Sequence, residues 1–209
     1  MNRLSLRDGM TTIWDAIKLW WADWSNQLVV SLAAILLSLT VVLYPVALFG
    51  VYYQAVDLTH DLRTGLDGFW SGIKKYWKPA LLWGIVNTIG AAVFGFSLWF
   101  YTNSRFAFAP MLVLVSLLAL AFWLTWQLIS AACFFLQEPP QTLRLAWKNG
   151  LALILSHPLY LVPISIFMLA LIFMSLRYFI PLIAGGEALL AILCLRAVQK
   201  SIQPDVPAN

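Results

Sequence analysis

The chain has 209 residues, 62% of them hydrophobic and 11% charged, with a formal net charge of +4 and a mean hydropathy of +0.82. That length suits one domain, and no water-soluble domain of this size has an interior large enough to hide so much apolar surface. The basic excess does not point to nucleic acid, because the lysines and arginines are scattered over short segments without a continuous basic face.

Five apolar runs, residues 28–49, 79–101, 111–136, 151–176 and 178–195, each reach or approach the ~20 residues a helix needs to cross ~30 Å of hydrocarbon. The expected fold is all-α: a multi-pass membrane helical bundle with about five transmembrane helices, forming a single membrane domain over residues 1–209. Residues 1–27 read as an N-terminal interfacial segment, 28–195 as the transmembrane bundle and 196–209 as a polar tail. Asp8, Asp15 and Asp23 interrupt the start, which therefore lacks a cleavable signal pattern. The first membrane helix is expected to serve as an uncleaved signal.

In chain order, Trp14, Ile17, Lys18 and Trp21 come first. The spacing i, i+3, i+7 puts the apolar members on one helix face and leaves Asp15 and Lys18 on the other. Such a helix suits the membrane interface, with Trp at headgroup depth and Lys reaching toward phosphate. In the first apolar run, Tyr44-Pro45 predicts a kink, and Gln54, Asp57 and His60 beyond it suit a single kinked helix emerging into the cytoplasm. The alternative is two crossings between Asn26 and Arg63 with the bend near Tyr44-Pro45. Asp57, His60 and Asp61 share one helical face, a spacing that can gather metal ligands but that a solvated helix end shows equally. The solvated end is the reading adopted, and Gly65 and Gly68 then end that helix.

The aromatic and basic pattern returns as Trp70, Ile73, Lys74 and Trp77, and more faintly as Leu143, Arg144 and Trp147. An offset of 70 carries Ile73, Lys74, Trp77, Lys78 and Leu81 onto Leu143, Arg144, Trp147, Lys148 and Leu151. This is a weak internal repeat of two units, each an interfacial helix followed by a membrane helix. With the N-terminal segment, two or three amphipathic interfacial helices are expected. Trp14, Trp21, Trp70, Trp77 and Trp147, with Lys74, Lys75 and Lys78, are the interfacial anchors. The segment 69–78 should lie along the cytoplasmic interface, with Trp70, Ile73 and Trp77 turned to lipid or to the bundle.

Thr102, Asn103 and Ser104 form the next turn, Glu138-Pro139-Pro140 stops the third membrane helix, and His157-Pro158 divides the fourth run. Arg63, Lys74, Lys75 and Lys78 lie in the first loop, Arg144 and Lys148 in the third, and Arg196 and Lys200 in the tail. The intervening loops hold only Arg105 and Arg177. The positive-inside rule then puts the C-terminus in the cytoplasm and, with five crossings, the N-terminus outside, against the weaker bias of Arg3, Arg7 and Lys18.

Glu187 is the candidate functional residue, placed near the middle of the last helix and preceded by Gly185-Gly186. A carboxylate at that depth costs at least ~2.5 kcal/mol and should face the bundle interior or a wet cavity. It either holds a proton or cation, or it is a protonated acid hydrogen-bonded to Asn87, Gln127 or His157 that locks helix packing. The packing role is favoured, because the glycine pair permits close helix approach. Cys133 and Cys194 sit in apolar runs, where thiols act as small hydrophobes. No catalytic, cofactor-binding or metal pattern occurs: there is no Gly-rich phosphate loop, GxSxG or HExxH.

Three stretches carry a family likeness: Tyr44-Pro45-Val46-Ala47-Leu48, the run from Phe69 to Lys78, and Ala146-Trp147-Lys148-Asn149-Gly150 leading to His157-Pro158-Leu159. In these the chain resembles the YesL family of bacterial integral membrane proteins, a domain of unknown function. The resemblance covers most of the chain and leaves Glu187 outside its pattern. It implies a cell-membrane protein associated with operons for carbohydrate uptake. The expected function is a non-enzymatic accessory or assembly subunit without cofactors. Its partners would be the lipid bilayer and another membrane protein such as a transporter permease, or copies of itself. The alternative is a small transporter or channel using the Glu187 carboxylate.

Overall fold

In the computed structural model, which describes residues 4–40, 42–60, 62–178 and 185–202, every described element is a helix. The first, α1 (Leu6–Ala22), opens on a capping box. The Asp8 carboxylate accepts from the Ser5 amide at 2.8 Å, and the Ser5 hydroxyl oxygen accepts from the Asp8 amide, which satisfies two of the free N–H groups at the helix start. Ile13 and Ala16 turn inward while Trp14 and Trp21 stay exposed.

Residues 28–49 do not form one kinked helix. The chain forms α2 (Trp24–Ser38), turns, and starts again as α3 (Tyr44–Thr59). The Ser38 and Thr40 hydroxyls bond back to the Ala34 and Leu37 carbonyls, and Pro45 suits only the first turn of a new helix. The side chain of Asn26, early in α2, lies 3.6 Å from where a Cβ on Gly65 would sit. Thr64, just before Gly65, donates to the Asp57 carboxylate near the end of α3. The start of α2 therefore lies beside the end of α3, and the two form an antiparallel hairpin. Its tip is apolar, with Leu36 68%, Leu39 76% and Val42 72% exposed, which is why hydropathy did not reveal the turn.

The long α4 (Gly65–Asn103) has 39 residues, about 58 Å at 1.5 Å per residue. It passes Pro79 without a break, so segment 69–78 does not turn aside as a separate interfacial helix. The reason is packing: Gly72 lies against Tyr53 and Gly84 against Pro45, and α3 splints the helix across the proline. From the far end, α5 (Ala109–Phe135) returns antiparallel, with Trp123 over Gly90 and Gln127 bonded to Asn87. Then α6 (Leu143–Ser156) starts at a Thr142 cap, and α7 (Pro158–Tyr178) follows the expected His157-Pro158 break. The last described helix, α8 (Gly186–Ile202), runs through residues 196–202, which sequence assigned to the polar tail.

Most of α8 is buried, from Glu187 through Val198, and it is the central helix of the body. Tyr160 of α7 donates to the Ala197 carbonyl of α8 and pairs with the Thr12 hydroxyl of α1. Phe49, Tyr52, Tyr76, Trp83, Phe134 and Phe135 of α3, α4 and α5 form an aromatic core, with ring centroids 5.2–5.9 Å apart.

Among the described residues, α4, α5 and α7 are long and apolar enough to cross a membrane. At 15, 16 and 17 residues, α2, α3 and α8 fall short of the ~20 a full crossing needs. The first and last described helices also meet: Lys200 donates to the Thr11 hydroxyl at 2.8 Å and to the Asp8 carbonyl at 3.4 Å. The expected placement of the N-terminus on the side opposite the C-terminus is therefore overturned. The hairpin supplies the physical reason, because it returns the chain to the end from which it set out. A membrane-impermeant maleimide should label Arg7→Cys from the same side that a C-terminal reporter marks. Labelling from the opposite side would refute the shared end.

Candidate functional site

Gly185, at φ +95°, takes a left-handed conformation that suits glycine, and α8 begins directly after it. Glu187 therefore stands in the first turn of α8 rather than mid-helix. It is 5% exposed, and its Oε2 has no hydrogen-bond partner among the described residues. The Trp20 indole covers Gly185. None of the three expected partners bonds Glu187. Asn87 donates to the Trp83 carbonyl and to Gln127, Gln127 also accepts from the Trp147 indole at 3.1 Å, and His157 caps α6.

Other polar groups lie in the same body, among them Gln54, which was expected in an emerging helix end. Gln27 and Ser31, one turn apart on α2, and Gln54 of α3 are fully buried. Both side-chain polar atoms of Gln54, the Gln27 Oε1 and the Ser31 Oγ lack partners among the described residues. Asp23, 5% exposed, accepts from Asn26 at 2.8 Å and from Gln27 at 3.0 Å. The i, i+4 spacing of Gln27 and Ser31 inside an apolar stretch was the available signal, because polar residues there turn to the interior.

The anchors divide into two kinds. Trp14, Trp21, Trp70 and Trp77 are exposed, Lys18 lies over Trp14, and Lys78 lies over Trp77. Lys75 lies over Tyr53 and Tyr76, and Lys74 is exposed beside it. Ile73 parts from the two tryptophans and packs against Gly50. Trp147 also differs: its indole bonds Gln127, and its carbonyl accepts from the Trp126 indole. It ties α6 to α5 instead of marking a surface, so the faint third copy of the pattern is set differently from the first two.

The Asp57, His60 and Asp61 face does not assemble a metal site among the described residues. Asp57 accepts from Thr64, Asp61 lies outside the described residues, and no group of three His, Cys, Asp or Glu side chains gathers among those described. Cys133 and Cys194 are buried, as hydrophobes would be. No protein-family model, curated protein or solved structure matches the chain.

Proposed function

We propose that the chain is an integral protein of the cell membrane that acts as a non-enzymatic accessory or assembly subunit, binding another membrane protein such as a transporter permease. The observation that carries this reading is the outer half of α4. Thr88, Ala91, Ala92 and Gly95 form an exposed row of small residues on one face, and nothing lies within 4 Å of a Cβ placed on Gly95. Small residues let another membrane helix come close enough for backbone-level packing. Around this row, Ile85, Ile89, Val93, Phe96 and Trp99 are exposed, a surface suited to hydrocarbon and not to water.

In this reading both ends lie in the cytoplasm, where Arg7, Lys18, Arg196 and Lys200 join the other basic residues. The long helices α4, α5 and α7 make three crossings, the shorter α8 completes the fourth that returns the chain to the cytoplasm, and the α2–α3 hairpin enters and leaves on one side, which makes about five membrane segments when the hairpin counts as one. Affinity purification from native membranes tests the role. A stoichiometric permease should accompany the wild type and be lost with Gly95→Leu, whereas a lone chain or a self-oligomer in both preparations refutes it.

A second reading, a small transporter or channel using Glu187, is favoured by the buried Oε2, which has no partner among the described residues. Packing alone gives no reason to keep an unsatisfied carboxyl there.

A further inference from the structure

The segment expected to lie along the interface stands instead at the head of a crossing helix, which changes what its lysines can hold. On α4, Lys74 is one turn from Trp70 and Ser71 on one side and from Trp77 and Lys78 on the other, spacings that share a helix face. All of these side chains are exposed. Because α4 runs through Pro79 unbroken, the stripe continues as Leu82, Ile85 and Ile89, which are 52%, 58% and 60% exposed. Charge, then tryptophan, then apolar surface is the order of phosphate, interface and acyl chain in one leaflet. Trp77 is separated from the exposed Trp99 by about 33 Å of helix at 1.5 Å per residue. That length matches ~30 Å of hydrocarbon and puts Lys74 and Lys78 at phosphate depth.

The nearby carboxylates do not neutralise this pair. Asp57 accepts from Thr64, Asp23 accepts from Asn26 and Gln27, and Asp67 stands about 10 Å from Lys74 toward the helix start. The internal repeat supplies a comparison. Arg144 and Lys148 of α6 have the same spacing and are also exposed, but Trp147 is spent on Gln127 and α6 ends at Ser156, about two turns on. Only the copy on α4 joins exposed tryptophans and a long apolar stripe to its charges. We propose that this face of α4 binds one anionic phospholipid, an inference that rests on the membrane placement of α4 given above and not on a permease. The phosphate sits between Lys74 and Lys78, the glycerol backbone lies against Trp77, and an acyl chain runs along Leu82 and Ile85. A zwitterionic lipid brings its own cation toward the two lysines and is held less well.

The test, which contains no permease, uses the full chain purified in a neutral maltoside detergent. It is titrated with phosphatidylglycerol, with phosphatidylethanolamine of the same acyl chains and with soluble glycerol phosphate, and bound lipid is read by native mass spectrometry. Phosphatidylglycerol should be retained at concentrations where phosphatidylethanolamine is not. Lys74→Gln together with Lys78→Gln should weaken that retention about tenfold or more. Lys74→Arg together with Lys78→Arg keeps both charges and should bind as the wild type does, which separates loss of charge from loss of fold. Arg144→Gln together with Lys148→Gln removes the same charge from the chain and should leave retention unchanged. Equal retention of the two lipids, an equal loss from the α6 pair, or displacement of the lipid by glycerol phosphate at equal concentration would each overturn the proposal.

Discussion

Phe49→Ala is expected to cost about 3–5 kcal/mol of folding stability, the usual range for emptying a phenylalanine site in a packed core. Phe49 is fully buried, and its ring lies 5.3 Å from Phe135, 5.6 Å from Phe134 and 5.9 Å from Trp83. One truncation thus loosens α3 from α4 and α5 together. Trp77→Ala removes a larger ring but should cost no more than about 1 kcal/mol, because Trp77 is 47% exposed and Lys78 lies over it. From sequence, Trp77→Ser should destabilise more than Lys75→Ser. The structure narrows that gap, since Lys75 lies over two tyrosines. Thermal unfolding in detergent measures all of these, and comparable losses for Phe49→Ala and Trp77→Ala would contradict the placement of the core.

Glu187→Leu is expected to stabilise the protein, which reverses the sign that sequence suggested. The sequence reading assumed an interhelical hydrogen bond that leucine would remove at a cost of about 1 kcal/mol. With no such bond among the described residues, leucine removes the desolvation penalty of an unmatched carboxyl, about 1–3 kcal/mol. Loss of a negative group at the positive end of α8 offsets this by about 0.3–1 kcal/mol. Glu187→Gln leaves a polar group in the same place and should be nearly neutral. A loss of stability with leucine would mean that the carboxyl has a partner after all. Proton- or cation-dependent flux in reconstituted vesicles that Glu187→Gln eliminates would establish the transporter reading at the expense of the accessory one.

The parts legible in sequence were those that hydropathy and proline write directly. The helical class, the spans in α4, α5 and α7, and the break at His157-Pro158 all follow from run length and from the missing proline N–H. The parts that were not legible depend on contacts between distant segments. Leu39, Thr40, Val42 and Leu43 lie between α2 and α3 and are mostly apolar, so the run 28–49 reads as unbroken although one helix ends and another begins within it. Pro79 looked like a boundary, and α3 overrides it by packing along both sides. Glu187 was placed too deep because the start of α8 depends on the backbone of Gly185, which an apolar run does not encode. Sequence singled out Glu187 because it is charged; it missed Gln27 and Ser31 and took Gln54 for part of an emerging helix end, whereas all three are buried once α2 folds back along α3.

The central position of α8 also sets an order of events during synthesis. It follows every other described helix in the chain, yet its buried face contacts α1, α3, α5 and α7. While a ribosome is still making α7, the earlier helices have been inserted with the groove that α8 will fill still open to lipid, to the translocation machinery or to a chaperone. Closure of the interior is therefore a late, post-insertion step. A ribosome stalled before Gly186 would leave a set of inserted helices without a finished core, a species that membrane quality control can recognise by its exposed interior.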